Sequence, residues 1–188
     1  MDKKSVPFSP AAPLFVAYYL LFPIFLAVMG QPFIGSLFSA STLFCLGLGV
    51  VMLLKKPKLP VAVFTLVGAF LQVSPLIFYL SLLFKGSFDF STFVGILRPL
   101  FSAAALLFIT LFAILLAFKD AKLCLNRKLW FLPAVFEGAS LLLMVADLLW
   151  KASLAAETNL LPLILNLVLM LIYSSAIVLT AFWYKKQV

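Results

Sequence analysis

The sequence contains no histidine, and only six of its 188 residues are acidic. The lack of histidine excludes histidine-ligated haem, histidine-bound metals and nucleophile–histidine pairs. There are two cysteines: Cys45 lies within an apolar run and Cys124 within a basic one, so we expect no disulfide. The sequence also has no phosphate-binding glycine loop, dinucleotide fingerprint or pair of aspartates within an apolar run. We therefore expect no cofactor, no metal and no enzymatic activity.

Charge is also scarce, whereas long apolar runs dominate the chain. Charged residues make up 11% of the sequence, compared with about 25% in a typical soluble domain. The hydrophobic fraction is 65% and the mean hydropathy is +1.23. The net charge of +8 comes from basic residues in short segments between apolar runs, and this distribution reports membrane topology. The composition predicts a membrane protein whose first partner is the lipid bilayer, and it gives no indication of nucleic-acid binding.

Six apolar stretches predict six transmembrane helices. Each is long enough to cross a hydrocarbon core about 30 Å thick. The expected fold is all-α, a polytopic bundle that forms a single transmembrane domain over residues 1–188 and has no soluble domain. Prolines within the spans are expected to break or kink helices at Pro23, Pro75, Pro99 and Pro162. The spans lie at about 13–29, 33–54, 59–84, 93–118, 129–150 and 160–184.

The positions of lysine and arginine predict the orientation. Eleven of the 14 lie in the N-terminal segment, the C-terminal segment and the segments after the second and fourth spans. The other three, Lys85, Arg98 and Lys151, lie towards the opposite side. The positive-inside rule then places both termini in the cytoplasm. We expect a multi-pass protein of a prokaryotic plasma (inner) membrane, with a first helix that is retained because no Ala-x-Ala cleavage site follows it.

The fifth stretch, Leu129–Trp150, carries the two acids that lie inside long apolar runs, Glu137 and Asp147. Trp130 and Trp150 stand near its ends and are expected at the two interfaces of an aromatic belt. We expect the other helices to form a wall around this helix, with its polar face pointing inwards.

The position of Glu137 makes it the first candidate for a functional residue. It lies roughly 12 Å into its span at about 1.5 Å per residue, which is near the midplane of the bilayer. A charged acid there costs about 2.5–3.5 kcal/mol on insertion scales. Two interpretations remain open: Glu137 is a proton or ligand site, or it is a neutral acid hydrogen-bonded to a neighbouring helix.

The other candidate ligand-binding or proton-site residues are Asp147, Arg98, Gln72, Asn166 and Tyr173. Arg98 either extends outwards to the interface or pairs with Asp147, which is expected at a similar depth. Asp147 alternatively reaches the lipid headgroups. Gln72 and Asn166 are equally compatible with polar contacts between helices.

Two functions from different classes are consistent with these residues. The first is a small integral membrane protein that binds or translocates a small solute through an outward-facing polar cavity around helix 129–150. Its support is the outer-half polar set together with the prolines, because transporters place sites beside broken helices. The alternative is a non-catalytic accessory or scaffold subunit that binds other membrane subunits, which the 21 phenylalanines favour because large apolar side chains fill grooves between helices.

Overall fold

The computed structural model describes residues 9–37, 39–53, 58–86, 89–117, 129–154 and 160–185, and these residues form helices joined by turns. No strand occurs in these ranges. A short 3-10 helix at Leu129–Phe131 leads directly into the seventh α-helix. The α-helices are α1 (Ala12–Val28), α2 (Phe33–Leu37), α3 (Ala40–Met52), α4 (Lys58–Val73), α5 (Leu76–Phe84), α6 (Phe90–Ala117), α7 (Leu132–Leu154) and α8 (Leu160–Lys185).

Among the residues that the structure describes, four helical stretches are long and apolar enough to cross a membrane: Leu59–Phe84, Phe90–Ala117, Leu129–Leu154 and Ile164–Trp183. The surface of the bundle agrees with this, because large apolar side chains such as Phe84 and Ile77 are 86% and 77% exposed. A soluble monomer rarely exposes extended apolar patches. The prediction of an all-helical protein with membrane-compatible helices is thereby confirmed. The helices of the first two predicted spans, α1 and α3, are apolar but shorter.

The second predicted span, 33–54, is not one continuous helix. It consists of α2 and α3, and Ser39 lies outside both helices. Ser39 has an extended backbone, and its hydroxyl accepts a hydrogen bond from the Thr42 amide at 3.4 Å. A serine in this position caps a new helix, because its oxygen satisfies an amide that has no partner within the first turn. The capped start of α3 thus divides the continuous apolar pattern of this span into two helices.

Of the four prolines expected to break helices, Pro75 is the one that separates two of them. It lies between α4 and α5, where it cannot donate the backbone hydrogen bond that would continue the helix. Pro23 and Pro99 lie inside the continuous helices α1 and α6. Pro162 lies in the first turn of α8, where the missing amide costs little. The expected break is therefore found at Pro75, whereas the helices continue past Pro23, Pro99 and Pro162.

Of the four long apolar stretches, the one that forms α6 is the most buried, and not the one that contains α7. About 50% of α6 is buried but only 28% of the Leu129–Leu154 stretch. Helix α6 packs most extensively against α4 and α7 and also touches α5 and α8, while α1 packs on α3 and α8. Thr65 of α4 and Thr110 of α6 join their hydroxyls at 2.7 Å in the interior. The expected wall around α7 is thus a wall around α6, with α7 on one side of it.

The two tryptophans of α7 and its leading turn differ in their environment. Trp130 is buried against Phe112 of α6, with ring centroids 4.2 Å apart. Trp150 is 44% exposed and packs on Phe90, as a residue of an aromatic belt would. Trp130 therefore belongs to the core and does not match the interfacial role expected for it. Most of the basic residues that predict the orientation, and Cys124, lie outside the described residues, at 3–4, 55–56, 119–128 and 186.

Candidate functional site

Glu137 of α7 is the most buried acid in the described part of the chain, with 2% of its surface exposed. The Ser174 hydroxyl of α8 donates a hydrogen bond to Glu137 Oε1 at 2.7 Å. The second carboxyl oxygen, Oε2, is buried and has no hydrogen-bond partner. A buried carboxyl with one satisfied oxygen is an unusual arrangement, because an unpaired buried polar atom costs about 1–3 kcal/mol.

Glu137 lines a small cavity, which we call the inner cavity. Its volume is about 20 Å³, room for about one water molecule. Within the described residues, one other buried side-chain oxygen or nitrogen lacks a partner, the Ser102 hydroxyl of α6. Both residues line the inner cavity. The remaining lining residues are Gln72, Arg98, Ser140, Leu141, Met144, Met170, Tyr173 and Ser174.

A hydrogen bond between Gln72 and Tyr173 forms another side of the inner cavity. Gln72 Nε2 of α4 donates to the phenol oxygen of Tyr173 of α8 at 2.9 Å. Tyr173 also packs against Phe15 and Tyr18 of α1, with ring centroids 6.4 and 5.4 Å away. These contacts join three helices behind the carboxyl and hold the tyrosine in one orientation.

Arg98 of α6 stands where three cavities meet. It lines the inner cavity and two larger ones: the entrance cavity of about 220 Å³ and the proline cavity of about 180 Å³ beside Pro75 and Pro99. Its guanidinium donates to Met170 Sδ at 2.9 Å. No acidic side chain of the described residues lies within 4 Å of it. A half-buried guanidinium with a thioether as its partner retains donors for a ligand, since it carries five N–H groups.

The entrance cavity lies at the end of the bundle where α5 ends and α6 begins. It is lined by both acids and bases, including Asp89, Arg98, Asp147 and Lys151. Asp147 accepts hydrogen bonds from Lys151 at 2.6 Å and from Ser91 at 2.7 Å. The alternative in which Asp147 pairs with Arg98 is therefore wrong, although the two residues line the same cavity.

Asp89 precedes α6 and caps its first turn. The Thr92 side chain and amide donate hydrogen bonds to the Asp89 carboxylate, the amide at 2.7 Å. These hydrogen bonds hold the pKa of Asp89 below its ordinary value, because they stabilise the charged form. The entrance cavity thus keeps a fixed negative charge at its rim.

A fourth opening, which we call the lateral groove, lies between α7 and α8. Its volume is about 360 Å³ and its lining is mainly apolar or small: Ala134, Glu137, Gly138, Leu141, Ser174, Ser175, Val178 and Leu179. A Cβ atom added to Gly138 would meet nothing within 4 Å. Glu137 therefore lies between the inner cavity on one side and the lateral groove on the other.

The structure brings most of the predicted candidates together. Glu137, Arg98, Gln72 and Tyr173 line the inner cavity, and Asp147 lines the neighbouring entrance cavity. Asn166 is half-buried on α8 and lines none of these four cavities.

Sequence reasoning missed the hydroxyls of Ser102 and Ser174. Serine is common in helices that pack closely, so neither attracts attention alone. A signal was present in the spacing: Ser102 follows Arg98 by four residues and therefore shares its helix face. Ser174 follows Tyr173 directly.

The comparison with known proteins does not add a relative to this description. No protein-family model matches the chain, and neither a curated protein nor a solved structure is found to be similar to it. The polar cavities that meet at Arg98 and Glu137 are consequently the features on which an interpretation of function rests.

Proposed function

We propose that this chain is a six-span membrane protein, with both termini in the cytoplasm, that binds a small anionic or zwitterionic solute from the outer side and translocates it. The residues that contact the solute in this proposal are Arg98 in the centre, with Asp147, Lys151 and Tyr79 around the entrance cavity.

The observation that carries the proposal is the position of Arg98. A cationic side chain placed within an apolar bundle is costly and marks ligand pathways in membrane proteins. Arg98 lines the entrance, proline and inner cavities together. A ligand that enters beside Lys151 would therefore meet the guanidinium before it meets Glu137.

The orientation of the site follows from the basic residues of the sequence. Lys85 and Lys151 lie at the end of the bundle where the entrance cavity lies, which is the end with few basic residues. By the positive-inside rule that end faces outwards. This orientation supports a cavity that opens to the outer side.

The charges around the entrance cavity favour an anionic or zwitterionic solute. Guanidinium groups bind carboxylates and phosphates through paired hydrogen bonds. The rim also carries Asp89 and Asp147, which favour a solute that has a positive group besides its anionic one. Together the two larger cavities have room for a molecule the size of an amino acid or a short dicarboxylate.

Thermal stability of the purified protein in nanodiscs tests the proposal. Acetate, succinate, glycine, glutamate and inorganic phosphate would each be added over a range of concentrations. We expect at least one of them to raise Tm in proportion to log concentration, as selective binding to the folded state requires. The variant Arg98→Gln should lose this rise. Lys85→Gln is the matched control, because it removes an exposed positive charge from the same end of the bundle outside these cavities, and it should keep the rise.

A result in which no member of the panel raises Tm would reject solute binding of this class. Uptake of the same solute into proteoliposomes separates translocation from binding alone. Transport that Arg98→Gln abolishes and Lys85→Gln preserves would support translocation. Tight binding without uptake would restrict the role to solute capture.

The second candidate function is that of a non-catalytic accessory or scaffold subunit. The lateral groove favours it, because Ala134 and Gly138 are small residues one helical turn apart and such pairs admit a second transmembrane helix. In this case Gly138→Leu, which fills the groove, should reduce the mass of the complex isolated from membranes, whereas Arg98→Gln should not change it.

A further inference from the structure

We infer that Glu137 takes up one proton when an anionic solute binds at Arg98, so that the inner cavity couples solute binding to protonation. This inference rests on the proposed function, because it needs a solute at Arg98.

The first step is the state of the hydrogen bonds around the carboxyl. Glu137 Oε1 already accepts the Ser174 hydroxyl. Glu137 Oε2 and Ser102 Oγ, both buried and without partners, line a cavity with room for about one water. The Ser102 hydroxyl can donate to a charged Oε2 and accept from a protonated one, directly or through a bridging water molecule. The two residues can therefore accommodate the carboxyl in both protonation states.

The second step is electrostatic. Arg98 and Glu137 both line the inner cavity. In the solute-free state that this inference requires, Glu137 is charged and the guanidinium in the same cavity stabilises that charge. A solute anion bound at Arg98 neutralises the positive charge of the guanidinium, which then no longer stabilises the Glu137 carboxylate. The anion also adds a second negative charge beside that buried carboxylate. Two negative charges at one buried site are unfavourable, so one of them gains a proton.

The proton balance is simple. One proton leaves a hydronium ion or a buffer molecule and forms an O–H bond at Glu137 Oε2. No covalent bond of the solute breaks. The net change in charge within the cavities is then zero for a solute with a single negative charge, since one anion and one proton enter together.

The other titratable groups around Glu137 are less suited to this role. From α6 it faces Arg98, whose guanidinium stays charged in proteins. From α8 it faces Tyr173, with Tyr18 of α1 and Cys45 of α3 behind that ring. Phenols and thiols are neutral at pH 7 in their ordinary state, and none of these three is an acceptor for a proton.

Two further carboxylates lie in the entrance cavity. Asp147 already accepts hydrogen bonds from Lys151 and Ser91. Asp89 accepts hydrogen bonds from Thr92 at the start of α6. Both carboxylates therefore already accept hydrogen bonds, whereas Glu137 has a buried oxygen without a partner.

Calorimetry in two buffers that differ in ionisation enthalpy tests the inference. The titrants are succinate, glutamate and inorganic phosphate, added to the full-length protein in nanodiscs at pH 7. For the wild type we expect uptake of about one proton per bound solute. Over the pH range in which Glu137 is charged without solute, Kd should then rise about tenfold per pH unit. In Glu137→Gln both effects should disappear.

Two variants make the result specific. Glu137→Asp keeps a carboxyl and should retain proton uptake. Thr110→Val is the control for a change to a buried polar side chain of the bundle that lines none of the four cavities, and it should leave the number of protons unchanged.

Infrared difference spectra provide a measurement that needs no variant. Addition of solute to the wild type should produce the C=O stretching band of a protonated carboxylic acid. Solute binding without this band and without proton uptake would overturn the coupling while leaving solute binding intact. Proton uptake that persists in Glu137→Gln would assign the proton to another group and overturn it as well. If none of the titrants binds, both the coupling and the proposed function fail.

Discussion

Asp147 pairs with Lys151, one turn further along α7, at a distance of 2.6 Å. It does not pair with Arg98, although the two line one cavity. The Lys151 side chain is 51% exposed and that of Asp147 is 17% exposed. A lysine on the same helix needs little ordering to reach Asp147, whereas Arg98 is held by Met170 on another helix. Local geometry thus decided this partnership and left the guanidinium available.

This pairing predicts the outcome of charge exchanges at the two possible partners of Asp147. The double variant that exchanges the charges of Asp147 and Lys151 should lose less unfolding free energy than the two single reversals added together. The expected difference is about 0.3–0.5 kcal/mol, the usual range for exposed pairs one turn apart. Exchanging the charges of Arg98 and Asp147 should recover nothing. The measurement is the free energy of unfolding in a double-mutant cycle. Recovery in the exchange of Arg98 and Asp147, without recovery in the exchange of Asp147 and Lys151, would contradict this assignment.

Gly95 and Gly138 should respond in opposite ways to alanine. Helical glycine costs roughly 0.5–1 kcal/mol relative to alanine, and Gly138 has open space around a new Cβ. Gly138→Ala should therefore raise the free energy of unfolding by about that amount. At Gly95 a new Cβ would collide with the Tyr79 ring, which lines the entrance and proline cavities.

Gly95→Ala should therefore show no such gain, and it should weaken solute binding because the displaced ring changes both cavities. Thermal unfolding and solute titration of the two variants check this pair of expectations. Equal stabilisation by both alanines would mean that the Tyr79 ring moves away without cost.

Asp89 predicts a loss of stability in acid. A carboxyl whose pKa is lowered in the folded state contributes stability above its unfolded pKa, about 3.9. That contribution is lost as the pH falls through the lower folded pKa. Wild type should therefore exceed Asp89→Asn in Tm at neutral pH, and the difference should shrink in acid. Lys85→Gln should follow the wild-type curve, and a difference that stays constant down to the lowest pH would contradict the cap.

Cysteine labelling checks the orientation. In intact cells, a membrane-impermeant maleimide should label a cysteine introduced at Gly86 but should not label the native Cys124. In permeabilised cells, the maleimide should label both cysteines. The background variant replaces Cys45, which is buried in the bundle. Labelling of Cys124 in intact cells would reject the proposed placement of both termini in the cytoplasm.

Several features of the fold were predictable because they depend on composition and local pattern. Long apolar runs leave few options other than helices, since backbone groups within a bilayer must be satisfied inside the segment. The break at Pro75 was foreseeable from its missing amide. The break at Ser39 was not, because serine caps a helix only if its own backbone is extended, and no local pattern in an apolar run predicts that.

The sequence alone determined that the protein is helical, that its helices suit a membrane and that Glu137 and Arg98 are costly residues which need a reason to be there. These properties depend on single residues and on distances along one helix. Which residues meet depends on how four helices rotate about their axes, and side chains far apart in the chain decide that by packing. The tertiary structure therefore decided that Ser102 of α6 and Ser174 of α8 stand beside Glu137, that Arg98 meets three cavities and that α6 is the buried centre.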